Sequence, residues 1–256
     1  MIHKQAIIDS NAKIDEGVSI GAFSVIGAEV EIKKGTVIHS HVVIEGSTKI
    51  GFNNEIFQFS SVGGDPQDKK YKGEKTFLEI GDENIIREGV TINRGTIQEN
   101  SLTKIGSRNL FMAYTHIAHD CCIEDEVVMV NNAALAGCVV LKKGSILGGF
   151  SLVHQFCNIG EYSFTAMGSA VAKDIPAFVR VSGNPAKPRG LNTTGIQRLN
   201  SSKDSYIALK EAYKILYLRK IQFSEAVKEI KQNLNSTSEV KILLRSLSDS
   251  KRGIIR

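Results

Sequence analysis

The stretch "SVIGAEVEIKKGTVIHSHVVIEGSTKI", Ser24 to Ile50, carries isoleucine at every sixth position: Ile26, Ile32, Ile38, Ile44 and Ile50. Counted outward, the register begins at Ile2, passes Ile8, Ile14 and Ile20, and continues to Ile56 and Val62, eleven aliphatic positions in succession. It breaks, resumes at Ile80, Ile86 and Ile92, and breaks again. A third run goes Ile105, Phe111, Ile117, Ile123, Met129, Leu135, Leu141, Leu147, Val153 and Ile159, then passes Thr165 to Val171. Two places before these residues the side chain is usually small, as at Ala12, Ser24, Thr36, Thr48, Thr115, Cys121, Ala133, Ser145, Ser151 and Cys157.

A helix needs apolar spacing near 3.6, which a period of six does not match. Short strands do match, because residues two apart share one face and a turn then redirects the chain. Three hexads close one triangular coil of about 18 residues, and coils stack at roughly 4.8 Å, the spacing of neighbouring strands. The expected fold is therefore mainly β, a parallel β-helix of hexapeptide repeats over residues 1–190 with aliphatic ladders inside.

The breaks hold "GGDPQDKKYKGEKTF" (Gly63 to Phe77) and "RGTIQENSL" (Arg94 to Leu102). A solenoid accommodates insertions as loops leaving the prism, so loops are expected at 63–77 and 94–102. The first gathers polar recognition groups; the second reads as a plain surface excursion. Beyond Gly190 the period ends. Ile207, Ala208, Tyr213, Ile215 and Leu216, then Ala226, Val227, Ile230 and Leu234, follow helical spacing, so residues 191–256 form an α-helical C-terminal domain. Ser201 with Asp204, and Ser236 with Glu239, have the spacing of capping boxes. "GNPAKPRG" (Gly183 to Gly190) supplies the hinge.

Lys and Arg exceed Asp and Glu by 32 − 27 = 5, an excess that suits anionic ligands or an acidic partner and is too diffuse to argue for nucleic acid. The N-terminus lacks the apolar core of a signal peptide, and no apolar run reaches transmembrane length. Four cysteines, Cys121, Cys122, Cys138 and Cys157, form no CxxC pair or secreted-style framework, so a cytoplasmic location is expected.

"AYTHIAHDCCIEDE" (Ala113 to Glu126) concentrates chemistry. Ile117 points inward, so His116 and Ala118 point out, and His119 lies at the strand's edge. Asp120 and Cys138 are separated by three hexads, so they stack on adjacent coils. His154 faces out beside inward Val153. Three readings stay open: ordinary surface histidines; a metal site drawn from His116, His119 and His154; or a general base whose imidazole is held by a carboxylate. Packing accounts for Cys121 and Cys157. Cys138, stacked beside Asp120, lacks the partners that would mark a nucleophile.

At "HIAHDC", "GGDPQDKKYKGE" and "LVHQFCNIG" the chain resembles the UDP-N-acetylglucosamine O-acyltransferases, acyl-carrier-protein-dependent enzymes that open lipid A biosynthesis. The resemblance runs through "TINRGT", "TKIGSRNLFMAYTHIAHD" and "NNAALAG" to the terminal "RGIIR". It implies a left-handed β-helix, a homotrimer with active sites between subunits, an (R)-3-hydroxyacyl donor on acyl carrier protein, UDP-N-acetylglucosamine as acceptor, and no cofactor or metal. It further implies His119 as base, Asp120 as its orienting group, and the Gly137 backbone N–H as oxyanion donor. Asp68 and Lys70 correspond to residues that hold the glucosamine and its surroundings, with Gln67 beside them; His116 and His154 match substrate-contacting histidines, with Gln155 beside the latter; Asn192 and Arg198 match residues near the nucleotide. Met167 stands where members taking long acyl chains have Gly. The family commonly has His at the positions of Asn93 and Cys138, and some members carry Glu and Arg at those of Thr194 and Leu199. The alternatives are the sister N-acyltransferase of the same pathway, a 3-amino acceptor, and a non-catalytic or zinc-holding β-helix.

The implied chemistry is consistent. A sugar hydroxyl attacking a thioester must lose its proton as the bond forms, and a positioned imidazole supplies about 10²–10⁴-fold. A fixed donor for the tetrahedral oxyanion is worth roughly 10²–10³ in turnover.

Overall fold

The computed structural model describes residues 1–234 and 237–256. Ile7 pairs with Val25, Lys13 with Glu31 and Ser19 with Val37, each partner three hexads further along the chain and each pair parallel. Among the described residues these pairings build three sheets, of nine, eight and ten strands, which form the three faces of a left-handed prism. Face one starts at Ile7–Ile8, face two at Lys13–Ile14 and face three at Ser19–Ile20.

The hexad isoleucines fill the prism: Ile26, Ile32, Ile38, Ile44, Ile50 and Ile56 are all buried. Each such side chain contributes about 1.5–3 kcal/mol. The small residues two places earlier are buried as well, and their hydroxyls staple the coils. Ser24 Oγ donates to the His39 carbonyl at 2.7 Å and accepts from Val42 N at 3.2 Å. Ile2 departs from the pattern, being 51% exposed, because the first coil has a neighbour on one side only.

At most corners the second turn residue takes a positive φ, as Phe59 (65°), Asp120 (58°) and Cys138 (62°) do. An L-residue adopts this conformation at a cost of about 1–2 kcal/mol, offset here by the ladder that the turn completes.

Both loops leave from the corner between faces one and two. Ser47 pairs with Phe77, well past the position that an uninterrupted coil would reach, so the first insertion is accommodated whole between two stacked strands. Phe77 pairs in turn with Leu102, again beyond three hexads, and the second, shorter insertion fills that interval.

The segment read as a hinge is part of the sheet. Lys187–Leu191 returns antiparallel on Val179–Ser182, so Gly183 to Ala186 form a hairpin turn. Four helices follow among the described residues: α1 (Thr193–Arg198), α2 (Lys203–Tyr217), α3 (Phe223–Asn233) and α4 (Ser238–Ser248). The cap of α2 is Ser202, one residue beyond the expected Ser201, and it accepts from Ser205 N. Ser236 lies outside the described residues, and Thr237 caps α4. Leu209, Ala212, Ile215 and Leu216 pack against Ala226, Ile230, Val240 and Leu243, whereas Ile207 faces out at 54% exposure. The tail folds back onto the last coil: buried Asp174 accepts from Ser250 Oγ (2.8 Å), Lys251 N (3.0 Å) and Arg252 N (3.2 Å).

Candidate active site

The chemistry gathers on the prism edge from which both loops emerge. His119 and Asp120 turn the corner after the strand His116–Ile117, and Gly137 with Cys138, then Gln155 with Phe156, turn it on the next two coils. The corners are bonded in series: Cys138 N donates to the His119 carbonyl at 3.0 Å and Phe156 N to the Gly137 carbonyl at 3.2 Å.

The Asp120 side chain is fully buried and lies 2.8 Å from His119 Nδ1. It also accepts from Thr96 N (3.1 and 3.0 Å), Thr96 Oγ1 (2.7 Å) and Asn100 N (3.2 Å). Its own N–H donates to Thr103 Oγ1 at 2.8 Å. A carboxylate is an acceptor only, so His119 presents Nδ1–H to it and keeps the lone pair on Nε2. The ring is 18% exposed and lies against the Gly137 backbone: a Cβ there would stand 2.5 Å from Cε1 and 2.6 Å from Nε2. Among the described residues the Gly137 N–H meets no acceptor.

His116 sits on the outer side of the same strand, 2.7 Å from Thr91 Oγ1 through Nδ1. Burial, followed by the neighbouring His119, holds its pKa below the ordinary imidazole value. His154 and Gln155 are exposed one coil beyond Gly137, with His154 Nδ1 3.1 Å from the Gln155 carbonyl oxygen.

The first loop is tied down by a residue the sequence reading passed over. Arg94, buried, donates to the Gly63 carbonyl, the Asp65 carboxylate and, at 3.0 Å, Tyr71 Oη. Asn93 Nδ2 donates to the Asp65 carbonyl at 2.8 Å. On this frame Asp68 Oδ1 accepts from Lys70 N at 2.9 Å, leaving Gln67 and the Lys70 side chain exposed. Burial first, then Glu99, Asp120 and Asp68, push the Cys138 thiol up to about 12, so Asp68 acts on the same corner as His119 and Asp120. Such a thiol is no thiolate nucleophile.

The second loop is not a plain excursion, since Thr96 and Asn100 hold Asp120. The available signal was positional: the loop leaves the very edge that Asp120 occupies one coil later.

Two groups of expected residues lie elsewhere in the chain. Asn192 and Arg198 share a cleft with Arg180, Thr194 and Phe164 beside face three. Asn192 is committed to structure there, capping α1 through Gly195 N (3.1 Å) and donating to the Tyr162 carbonyl (2.8 Å). Met167, 79% exposed, sits on the corner between faces three and one. Its coil is three strands along face one from His116–Ile117, which is about 14 Å at the strand spacing. Among the described residues, the cation-ligating groups brought together are His119, Asp120 and Cys138, with ligand atoms within 4.8 Å of one another; His116 and His154 do not join them. Among the described residues no helix is long and apolar enough to cross a membrane.

Comparison with known proteins adds names to this geometry. Residues 174–255 match a family model described as UDP-N-acetylglucosamine O-acyltransferase, domain 2, and residues 11–46 match one for bacterial transferase hexapeptide repeats. The acyl-[acyl-carrier-protein]–UDP-N-acetylglucosamine O-acyltransferase of Stutzerimonas stutzeri is 51% identical over 256 residues, covering 100% of this chain and 99% of that protein. Its counterpart in Herminiimonas arsenicoxydans is 49% identical over 260 residues, with the same coverage. Among solved structures, LpxA from Acinetobacter baumannii is 49% identical with a TM-score of 0.97, over 100% of this chain and 99% of that one. LpxA from Bacteroides fragilis, a UDP-N-acetylglucosamine acyltransferase, is 35% identical with a TM-score of 0.98, over 100% of both chains.

Proposed function

This chain belongs to the UDP-N-acetylglucosamine O-acyltransferase family, and on that premise we propose how its corner site works. The reaction moves an (R)-3-hydroxyacyl group from acyl carrier protein to the 3-hydroxyl of UDP-N-acetylglucosamine, the first step of lipid A biosynthesis. The observation that carries the mechanism is the His119–Asp120 contact of 2.8 Å, with the carboxylate saturated by Thr96 and Asn100.

His119 Nε2 takes the proton of the sugar hydroxyl as that oxygen attacks the thioester carbonyl. The new C–O bond forms a tetrahedral oxyanion, which the Gly137 N–H receives. Collapse breaks the C–S bond, and the imidazolium returns its proton to the departing carrier thiolate. Asp120 fixes the tautomer and steadies the imidazolium. General-base action of this kind is worth about 10²–10⁴-fold, and one oxyanion donor about 10²–10³.

Gln67, Asp68 and Lys70 on the first loop, with His116, His154 and Gln155 on the adjoining coils, hold the sugar and its surroundings. Asn192 and Arg198 serve the nucleotide, and Met167 ends the acyl groove. These last three stand on face three and its edge, so a cyclic homotrimer, which sets one chain's first corner against the next chain's third face, completes the site. The division of labour follows the chain: residues 1–190, the β-helix, bear the acyl-transfer corner, and 191–256, the helical domain, contribute Asn192 and Arg198 at the nucleotide end. The protein works in the cytoplasm, and the mechanism requires neither metal nor cofactor.

Mass spectrometry of products from UDP-N-acetylglucosamine and a panel of 3-hydroxyacyl carrier protein thioesters tests this. A 3-O-acyl product from wild type and none from an intact His119→Ala assembly is the expected result. Activity of His119→Ala within a few-fold of wild type overturns the base assignment.

A further inference from the structure

We propose that His119 and Cys138 form a binding site for a thiophilic divalent cation, zinc or cadmium, which switches the enzyme off by capping its base.

The argument starts from how the corner is stacked. The positive φ of Cys138 and the hydrogen bond from its N–H to the His119 carbonyl stack the two corners, with the thiol near the imidazole of the previous coil. Ligand atoms of His119, Asp120 and Cys138 lie within 4.8 Å of one another. Asp120 is the poorest ligand of the three, because its oxygens already accept from Thr96, Asn100 and His119. Its place is behind the metal ligand: a carboxylate bonded to Nδ1 orients the imidazole and raises the basicity of Nε2, the arrangement that metal-binding histidines commonly have. The protein ligands are then one imidazole nitrogen and one sulfur, with water or substrate oxygens completing the sphere. That donor set selects zinc or cadmium and rejects magnesium and calcium, which demand oxygen.

The electrostatics of the corner favour the same occupant. The buried carboxylate of Asp120 lies in the same 4.8 Å cluster as the thiol and creates a negative potential at it. A divalent cation is attracted by that potential and displaces the thiol proton, which leaves to solvent as the metal–sulfur bond forms. The other cysteines do not offer this. Cys121 and Cys157 are sealed in the prism, and Cys122 projects from face two beside Glu124.

The test is a cadmium titration of the full-length protein without substrates, read by the ultraviolet thiolate-to-cadmium charge-transfer band. One equivalent per chain should develop the band, and acyl transfer should stop over the same concentration range; EDTA should reverse both. Zinc should compete the band away, whereas magnesium should not. Cys138→Ser should abolish band and inhibition together, and Cys122→Ser should retain both. His119→Gln should weaken cadmium binding by at least the roughly 10- to 100-fold that loss of a group merely supporting a ligand costs. Circular dichroism of Cys138→Ser and Cys138→Ala checks that loss of the band is not loss of fold. A band that survives in Cys138→Ser, inhibition without a band, or no band in wild type overturns the site. Because the band needs no acyl donor, its absence leaves the acyl-transfer reading untouched.

Discussion

Thr96 engages Asp120 with both its backbone and its side chain: the amide reaches the two carboxylate oxygens at 3.1 and 3.0 Å and the hydroxyl reaches Oδ2 at 2.7 Å. The second loop thereby becomes the clamp on the carboxylate that meets His119 Nδ1. A hydrogen bond to a charged acceptor is worth about 1.5–3 kcal/mol. Thr96→Val, which removes the hydroxyl and keeps the shape, is expected to lower kcat by about tenfold or more with KM little changed, and Thr96→Ser to restore it. A merely structural role would lower melting temperature and leave kcat of the folded enzyme alone.

Gly137 is fixed by contact. A Cβ there would stand 2.5 Å from His119 Cε1 and 2.6 Å from Nε2, so Gly137→Ala must push the imidazole off its position. A displacement of that size is expected to cost about 10²-fold in kcat, while the amide stays in place. A wild-type rate in Gly137→Ala would show that the ring does not work from this position.

His116 supplies a pH signature in stability. Its pKa is lowered on folding by burial and then by His119. Between the ordinary imidazole value near 6.5 and the lowered folded value, the unfolded chain binds the extra proton, so stability rises with pH. The contribution is therefore complete above about pH 6.5 and is lost as pH falls through the folded value. Denaturant unfolding from pH 7.5 to 5 should show a decline that His116→Gln reduces; an identical slope in the two proteins would assign the decline to other groups.

Lys173, Arg180, Lys187 and Arg189 are all exposed near the last coils. An acidic carrier protein steered by them should give a kcat/KM that falls as salt rises through the screening range, on the order of 0.05–0.5 M. Charge reversal at Lys187 and Arg189 should flatten that dependence. A rate indifferent to salt would remove this docking surface.

Met167, exposed on its corner, is the residue proposed to end the acyl groove. Overfilling a packed slot costs about 1–3 kcal/mol, a bias of roughly 5- to 150-fold against longer chains. The expected donor is a hydroxyacyl chain of about ten carbons in preference to one of about fourteen, counting about 1.3 Å per methylene. Met167→Gly should move the optimum upward. Equal rates with the longer donor in the unmodified enzyme would refute the ruler.

The β-helix was legible because its code is short-range and repeated. Ile26, Ile32, Ile38 and Ile44 each specify the same local step, and errors in one hexad are overruled by the next. The corner motif His119–Asp120 was legible for the same reason: adjacent residues on a turn need no distant information to meet. What the tertiary structure alone decided lies across the coils. "RGTIQENSL" looks like any polar loop until its insertion at the edge carrying Asp120 sets Thr96 against that carboxylate. Arg94 looks like a surface cation until the first loop folds over it and Gly63, Asp65 and Tyr71 satisfy its guanidinium. "GNPAKPRG" reads as a hinge by composition, yet the open edge at Val179–Ser182 captures it as a strand. Residues within one hexad are placed by sequence because their separation is fixed by bond geometry; residues brought together by stacking, insertion length and free sheet edges are placed only once the whole prism has closed.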